Sequence, residues 1–107
     1  MMKTGKARSE VLAFLGMARR AGNVVVGTDA VRQALRKGDV KLLILASDGS
    51  ETQKKKLVPL AEARGVRWET LASSQELGAA VGAGSLTAVG VIGIEFAGEL
   101  KKRLGGD

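Results

Sequence analysis

The chain has 107 residues, 45% of them hydrophobic and 3% aromatic, enough for one modest core and a single domain. It has no cysteine and no histidine, which excludes disulfide frameworks, thiolate catalysis, sulfur-ligated zinc and the usual neutral-pH proton shuttle. Net charge is +6 and unevenly spread: residues 1–56 hold 12 basic and 5 acidic side chains, a balance of +7, whereas residues 57–107 hold 5 and 6, a balance of −1.

In chain order, residues 1–8 read as a flexible basic tail and 9–107 as one domain. Ser9 is placed to cap a helix from about Glu10 to Ala21, with Val11, Leu12, Leu15 and Ala18 at helical spacing and Gly22 at the stop. Lys3, Lys6 and Arg8 before this run resemble a signal peptide, but that reading is not expected, because Glu10 abuts the run, Arg19 and Arg20 follow it and no small-residue cleavage site comes next. No segment approaches the roughly 20 apolar residues that span a bilayer, so a cytoplasmic protein is expected. "NVVVG" then reads as a short strand, Thr28 as the cap of a helix with Val31, Ala34 and Leu35 inward, and Gly38 as its end. "VKLLILAS" (Val40 to Ser47) is an unbroken apolar run, the pattern of a strand covered on both faces.

Asp48 and Gly49 make a turn, and Ser50 with Gln53 forms a capping box that opens the next helix. Pro59 inside that helix removes one backbone donor, which predicts a kink or a delayed start. "VRWETL" (Val66 to Leu71) alternates as a strand, and Ser73 with Glu76 makes a second capping box before "LGAAVG". "LTAVGVIGI" supplies the last buried strand and "FAGELKKRL" the last helix, while Gly105 to Asp107 should fray. The order α-β-α-β-α-β-α-β-α favours one sheet between helical layers: a three-layer α/β/α sandwich around a central, mixed sheet of four strands.

Few chemistries suit these residues. An enzyme would need a carboxylate pair, a lysine or a lysine-activated hydroxyl, yet the acids are scattered, and Glu10, Asp29, Glu51 and Glu76 stand at helix starts, where the helix dipole explains them. "GAAVGAGSLTAVG" has G-x-G spacing at Gly82 and Gly84 but runs from helix into strand, the reverse of a dinucleotide fingerprint. "TGKA" lacks both the hydroxyl and the preceding strand of a phosphate loop. No catalytic residue, metal or cofactor is expected.

The charge instead suits a polyanion facing the N-terminal half. With Phe14 and Phe96 in core patterns, base stacking is not the expected mode. Recognition from a helix start is: Gly27 permits close backbone approach, Thr28 and Asp29 offer hydrogen-bonding groups beside Ala30, and Arg32 and Arg36 share one helix face with Lys37 following. A capped helix with a solvated basic face explains the same residues.

Read together, "LGMARRAGNVVVGTDAVRQALRKG" (Leu15 to Gly38), "VKLLILASDGSETQKKKL" (Val40 to Leu57), "SSQELGAAVG" (Ser73 to Gly82) and "GIEFAGELKKRL" (Gly93 to Leu104) resemble, in order and spacing, the ribosomal-protein family that binds kink-turn RNA. This is the L-seven-Ae and L-thirty-e superfamily, and the likeness is greatest to its small bacterial, YlxQ-like members. The resemblance implies an α/β/α sandwich. It also implies that RNA lies against Gly27, Thr28, Asp29 and Ala30, the basic positions after them, and the loop Gly84, Ser85, Leu86, Thr87 and Ala88. The chain departs from the archaeal-type pattern in having Asp29-Ala30 for Asn-Glu and Gln33 for a Lys, so RNA binding should outlast strict kink-turn selectivity.

The expectation is a non-enzymatic, monomeric, cytoplasmic RNA-binding protein. Its partner would be structured RNA, with ribosomal RNA and ribosomal proteins as candidates and no membrane. Arg32, Arg36, Lys37 and Lys41 would contact phosphate, Thr28 and Asp29 would work near bases, and Lys54, Lys55 and Lys56 are unassigned. The alternatives are a module that docks on ribosomal or RNA-processing proteins without reading RNA, and an enzyme subunit related to the substrate-recognition domains of RNA methyltransferases.

Overall fold

A computed structural model describes residues 5–105. Nine elements follow in the expected alternation: α1 (Gly5–Arg20), β1 (Val24–Val26), α2 (Thr28–Lys37), β2 (Leu42–Leu45), α3 (Glu51–Ala63), β3 (Trp68–Thr70), α4 (Ser74–Ala80), β4 (Ala88–Val91) and α5 (Ile94–Leu104). No helix among the described residues is long and apolar enough to cross a membrane.

The last strand enters the middle of the sheet, giving the order β1-β4-β2-β3. Strand β4 is antiparallel to both β1 and β2, and β2 is parallel to β3. The pairs Val26↔Val89 and Leu45↔Ala88 bring the end of β1, the end of β2 and the start of β4 to one end of the sheet. The chain leaving β1, the chain leaving β2 and the chain entering β4 therefore meet there, at what we call the mouth end. The start of β2 and the end of β4 lie at the far end.

Strands β2 and β4 are buried at every residue because helices cover both faces of the sheet. Alternate side chains point to opposite faces. Leu42, Ile44, Val89 and Val91 pack with Val11 and Leu15 of α1, Leu77 of α4 and Leu100 of α5. Leu43, Leu45 and Ala88 pack with Val31 and Leu35 of α2 and Leu57 and Ala61 of α3. This division of the core into two apolar layers is the predicted sandwich. Truncating a fully buried residue such as Leu43 to Ala would cost about 2–5 kcal/mol.

Several boundaries differ from expectation. Helix α1 begins at Gly5, so Ser9 lies inside it and does not cap it, and residues 5–8 of the expected tail are helical. Arg8 reaches Glu76 on α4 at 3.5 Å, which gives that extra turn a tertiary anchor. Residues 1–4 and 106–107 lie outside the described residues. Helix α3 starts directly after its cap Ser50 and continues through Pro59, so the predicted delay is absent. Pro59 and Lys55 are both exposed, and solvent can satisfy the Lys55 carbonyl that the missing donor would have used. Strand β3 keeps three of the six predicted residues, since it is an edge strand bonded only to β2. Gly105 is hydrogen-bonded rather than frayed: its carbonyl accepts from Arg67 at 2.7 Å.

Candidate functional site

The start of α2 is built on Gly27, whose φ of 91° and ψ of 150° suit glycine alone. Its N–H donates to the Ala88 carbonyl at 3.2 Å, and its carbonyl accepts from Val31 N–H at 3.0 Å, locking the helix start onto β4. No side chain caps this helix, so the predicted Thr28 cap is corrected: Thr28 is the first helical residue. Its hydroxyl instead donates to Gln53 Oε1 on α3 at 2.9 Å. Gln53 N–H donates to Ser50 Oγ at 3.3 Å, but its side chain goes to Thr28 and leaves the first predicted capping box half made. The amides of Thr28, Asp29 and Ala30 have neither an intrahelical carbonyl nor a side-chain acceptor, so they offer donors and the positive end of the helix dipole.

The opposing wall is the loop before β4. The second capping box forms as predicted, with Glu76 N–H donating to Ser73 Oγ and Ser73 N–H to Glu76 Oε1, both at 3.0 Å. Asp48 Oδ1 accepts from Ser74 N–H at 2.7 Å, and the Ser74 carbonyl accepts from Leu86 N–H at 3.0 Å. The turn after β2 thus holds the loop through α4. Gly78 permits a close backbone approach: a Cβ there would stand 1.9 Å from the Gly84 carbonyl oxygen. The Ser74 N–H bond holds the Asp48 carboxyl below the usual carboxylate range, and the Ser73 N–H does the same for Glu76.

Gly27 before α2, Thr28 and Asp29 from its first turn, Gln53 and Lys56 from α3, and Ser85, Leu86 and Thr87 from the loop line one open cleft of about 410 Å³. The predicted helix start and the predicted loop, more than fifty residues apart in sequence, therefore do face each other. Asp29 is exposed within that lining, whereas Ala30 and Gln33 are exposed outside it. Arg32 stands one turn behind Thr28 on the same helix stripe, half-buried.

Other predicted site residues fall elsewhere. Ala88 is fully buried, so its side chain belongs to the core and only its carbonyl serves the site, by holding Gly27. Gly84 is exposed and packs its backbone against Gly78, outside the cleft lining. Arg36 lies eight residues beyond Thr28, about 12 Å along the helix, and its carbonyl is bonded to Arg64. Lys37 is in the same last turn, and Lys41 lines a separate cleft at the far end.

Three contributors were not singled out from the sequence. The sequence reading places Gln53 in a capping box and Asp48 in a turn and leaves Lys56 unassigned. The i, i+3 spacing of Gln53 and Lys56 puts both on one face of α3, but it does not tell which face meets the cleft, and Asp48 carries no signal beyond its turn. Of the other two lysines, Lys54 donates to the Ser47 carbonyl at 3.3 Å and Lys55 is exposed away from the cleft. Among the described residues no group of three or more His, Cys, Asp or Glu side chains could hold a metal ion.

Residues 9–102 match the ribosomal protein L7Ae/L30e/S12e/Gadd45 family. The chain belongs to that family. It is 32% identical over 91 residues to the RNA-binding protein YlxQ of Bacillus subtilis (strain 168), which covers 85% of this chain and 91% of that protein. A solved structure of a protein with unknown function from Bacillus halodurans C superposes with a TM-score of 0.83 at 31% identity, over 88% of this chain and 95% of the other. The 15.5kD RNA binding protein of Giardia lamblia superposes at 0.75 with 18% identity, over 95% and 93% of the two chains, a likeness of fold.

Proposed function

We propose that this family member is a non-enzymatic protein that binds structured, kink-turn-like RNA through the mouth-end cleft, in the cytoplasm and in association with ribosomal RNA. The observation that carries this reading is the convergence of an uncapped helix start, a conformationally pinned loop and Lys56 on one open cleft. The relationship to a Bacillus protein named for RNA binding supports the same partner. In this reading the amides of Thr28 to Ala30 meet RNA acceptors and Asp29 accepts from a guanine edge. Leu86, the apolar member of the loop, covers an extruded base, while Arg32 and Lys56 hold phosphates.

Asp29-Ala30 and Gln33 replace groups that archaeal-type members carry, and each loss is worth about 1–3 kcal/mol of recognition. Kink-turn RNA should therefore be preferred over plain duplex by a narrower margin than in those members. Titration of labelled kink-turn and duplex RNAs between about 50 and 200 mM salt tests the proposal, since each phosphate contact contributes about −0.9 to the slope of log K against log salt. Binding with a slope of several such units and a kink-turn preference is the expected result. No binding to either RNA, or binding without a salt slope, contradicts it.

A further inference from the structure

The far end of the sheet carries a second cleft, of about 540 Å³, lined by residues that follow α2 and α3, by Val40 and Lys41 before β2, and by one side of α5 from Ile94 to Lys101. Three elements or their flanks each bring one cation to it: Lys41 before β2, Arg64 after α3 and Lys101 from α5. Among the described residues no carboxylate lines the cleft, and none comes within 4.0 Å of these three nitrogenous groups. Of the neighbouring acids in sequence, Asp39, Glu62 and Glu95 are exposed and Glu99 is paired with Lys102 and Arg103; none of the four forms part of the lining. Helix C-termini attract cations, and Arg64 does serve the Arg36 carbonyl in that way. Among the described residues Lys41 and Lys101 have no such bond, and both are half-buried. Like charges gathered in a recess without a counter-charge raise its potential and focus it on an incoming anion. Gly65 and Gly98 leave the walls open, with nothing within 4 Å of where a Cβ would stand, and Ile94 is 73% exposed at the rim.

We propose that this recess is a phosphate-binding site and that its occupant is the sugar-phosphate backbone of RNA, with Ile94 against the ribose. The domain then touches RNA at both ends of its sheet. The phosphate chemistry stands on the cleft alone; the RNA source rests on the function proposed above. The C-terminal half of the chain, net −1 overall, nevertheless supplies Arg64 and Lys101 to the recess.

Titrating isotope-labelled protein with inorganic phosphate tests the site without RNA. Saturable amide shifts at Gly38, Gly65 and Gly98 are expected, abolished in the Arg64→Gln, Lys101→Gln double variant and in Gly98→Leu, which fills the recess without changing charge. Absence of these shifts in the wild type, or their persistence in both variants, overturns the site. Native amide spectra of both variants ensure that lost shifts report the site and not unfolding. Two RNAs then identify the source: a short hairpin spanning the mouth cleft, and the same hairpin extended by a helical arm. For the extended RNA the double variant should lower the salt slope by about 1–2 units, and for the short one leave it unchanged. An unchanged slope with the extended RNA assigns the recess to a free phosphate and overturns the RNA assignment. Failure of wild-type protein to bind the short hairpin contradicts the mouth reading and leaves the phosphate result standing.

Discussion

The two ends of the sheet are organised by different physics. At the mouth, polar groups are bonded to one another before any partner arrives: Thr28 to Gln53, and Asp48 through Ser74 to Leu86. At the far end, Lys41, Arg64 and Lys101 converge with one backbone bond from Arg64 as their only side-chain fixture among the described contacts. Pre-set hydrogen-bond geometry can discriminate between bases, whereas loosely held charge adds affinity that is blind to sequence. The difference teaches where selectivity and strength would reside in one small domain.

The sharpest way to break the mouth without touching its charge is Gly78→Val. A Cβ 1.9 Å from a backbone carbonyl forces the Gly84 turn to move. Better helix propensity returns at most about 1 kcal/mol, against about 1–3 kcal/mol or more for overpacking. The variant should melt lower and lose structured-RNA binding at least tenfold, measured by thermal melting and anisotropy. A variant with wild-type melting and binding would show that the loop is not pinned by this contact.

Next in size, Arg32→Gln with Lys56→Gln should weaken RNA binding uniformly across sequences and cut the salt slope by about 2, one unit per phosphate contact. Unaltered slopes would remove both side chains from the interface. Thr28→Val should cost about 0.5–1.5 kcal/mol of stability through loss of the bond to Gln53, readable in denaturant melts. A melt midpoint equal to the wild type would mean that the α2–α3 tie contributes nothing.

A smaller effect separates the ends by pH. Backbone N–H donors depress the folded-state carboxyls of Asp48 and Glu76, so ionisation favours the folded state. Their contribution is complete above the ordinary carboxylate range and is lost as pH falls through the depressed values. Acid titration should therefore loosen the amides of Ser74 and Leu86 ahead of those of Lys41 and Lys101, and Asp48→Asn should erase the Ser74 part of that difference. Smallest of all, Lys55→Gln should leave mouth binding unchanged, since Lys55 lies outside that cleft.

The layers were legible because burial on both faces writes continuous apolar runs into β2 and β4 and helical spacing into α1 and α2. The helix start at Gly27 was legible from a β-branched run broken by glycine. Strand order was not, because the entry of β4 between β1 and β2 depends on which pairings win across the whole chain. For the same reason the sequence could not distinguish Lys56 from Lys54 and Lys55, which differ only in the direction α3 gives them. Lys41 reads as a neighbour of Arg36 and Lys37 and is one, but all three stand away from the mouth, since a ten-residue helix carries its last turn to the other end of the sheet. Local chemistry suits Ser9 and Thr28 to a cap, but the fold extends α1 to where Arg8 meets Glu76 and turns the Thr28 hydroxyl to Gln53.

The most direct measurement is an amide-shift map of labelled protein titrated with a kink-turn hairpin at low salt. The largest changes should fall on Gly27 to Ala30, Gln53, Lys56 and Ser85 to Thr87. A map centred on other surfaces, or a spectrum that does not change, would contradict recognition at the mouth of α2.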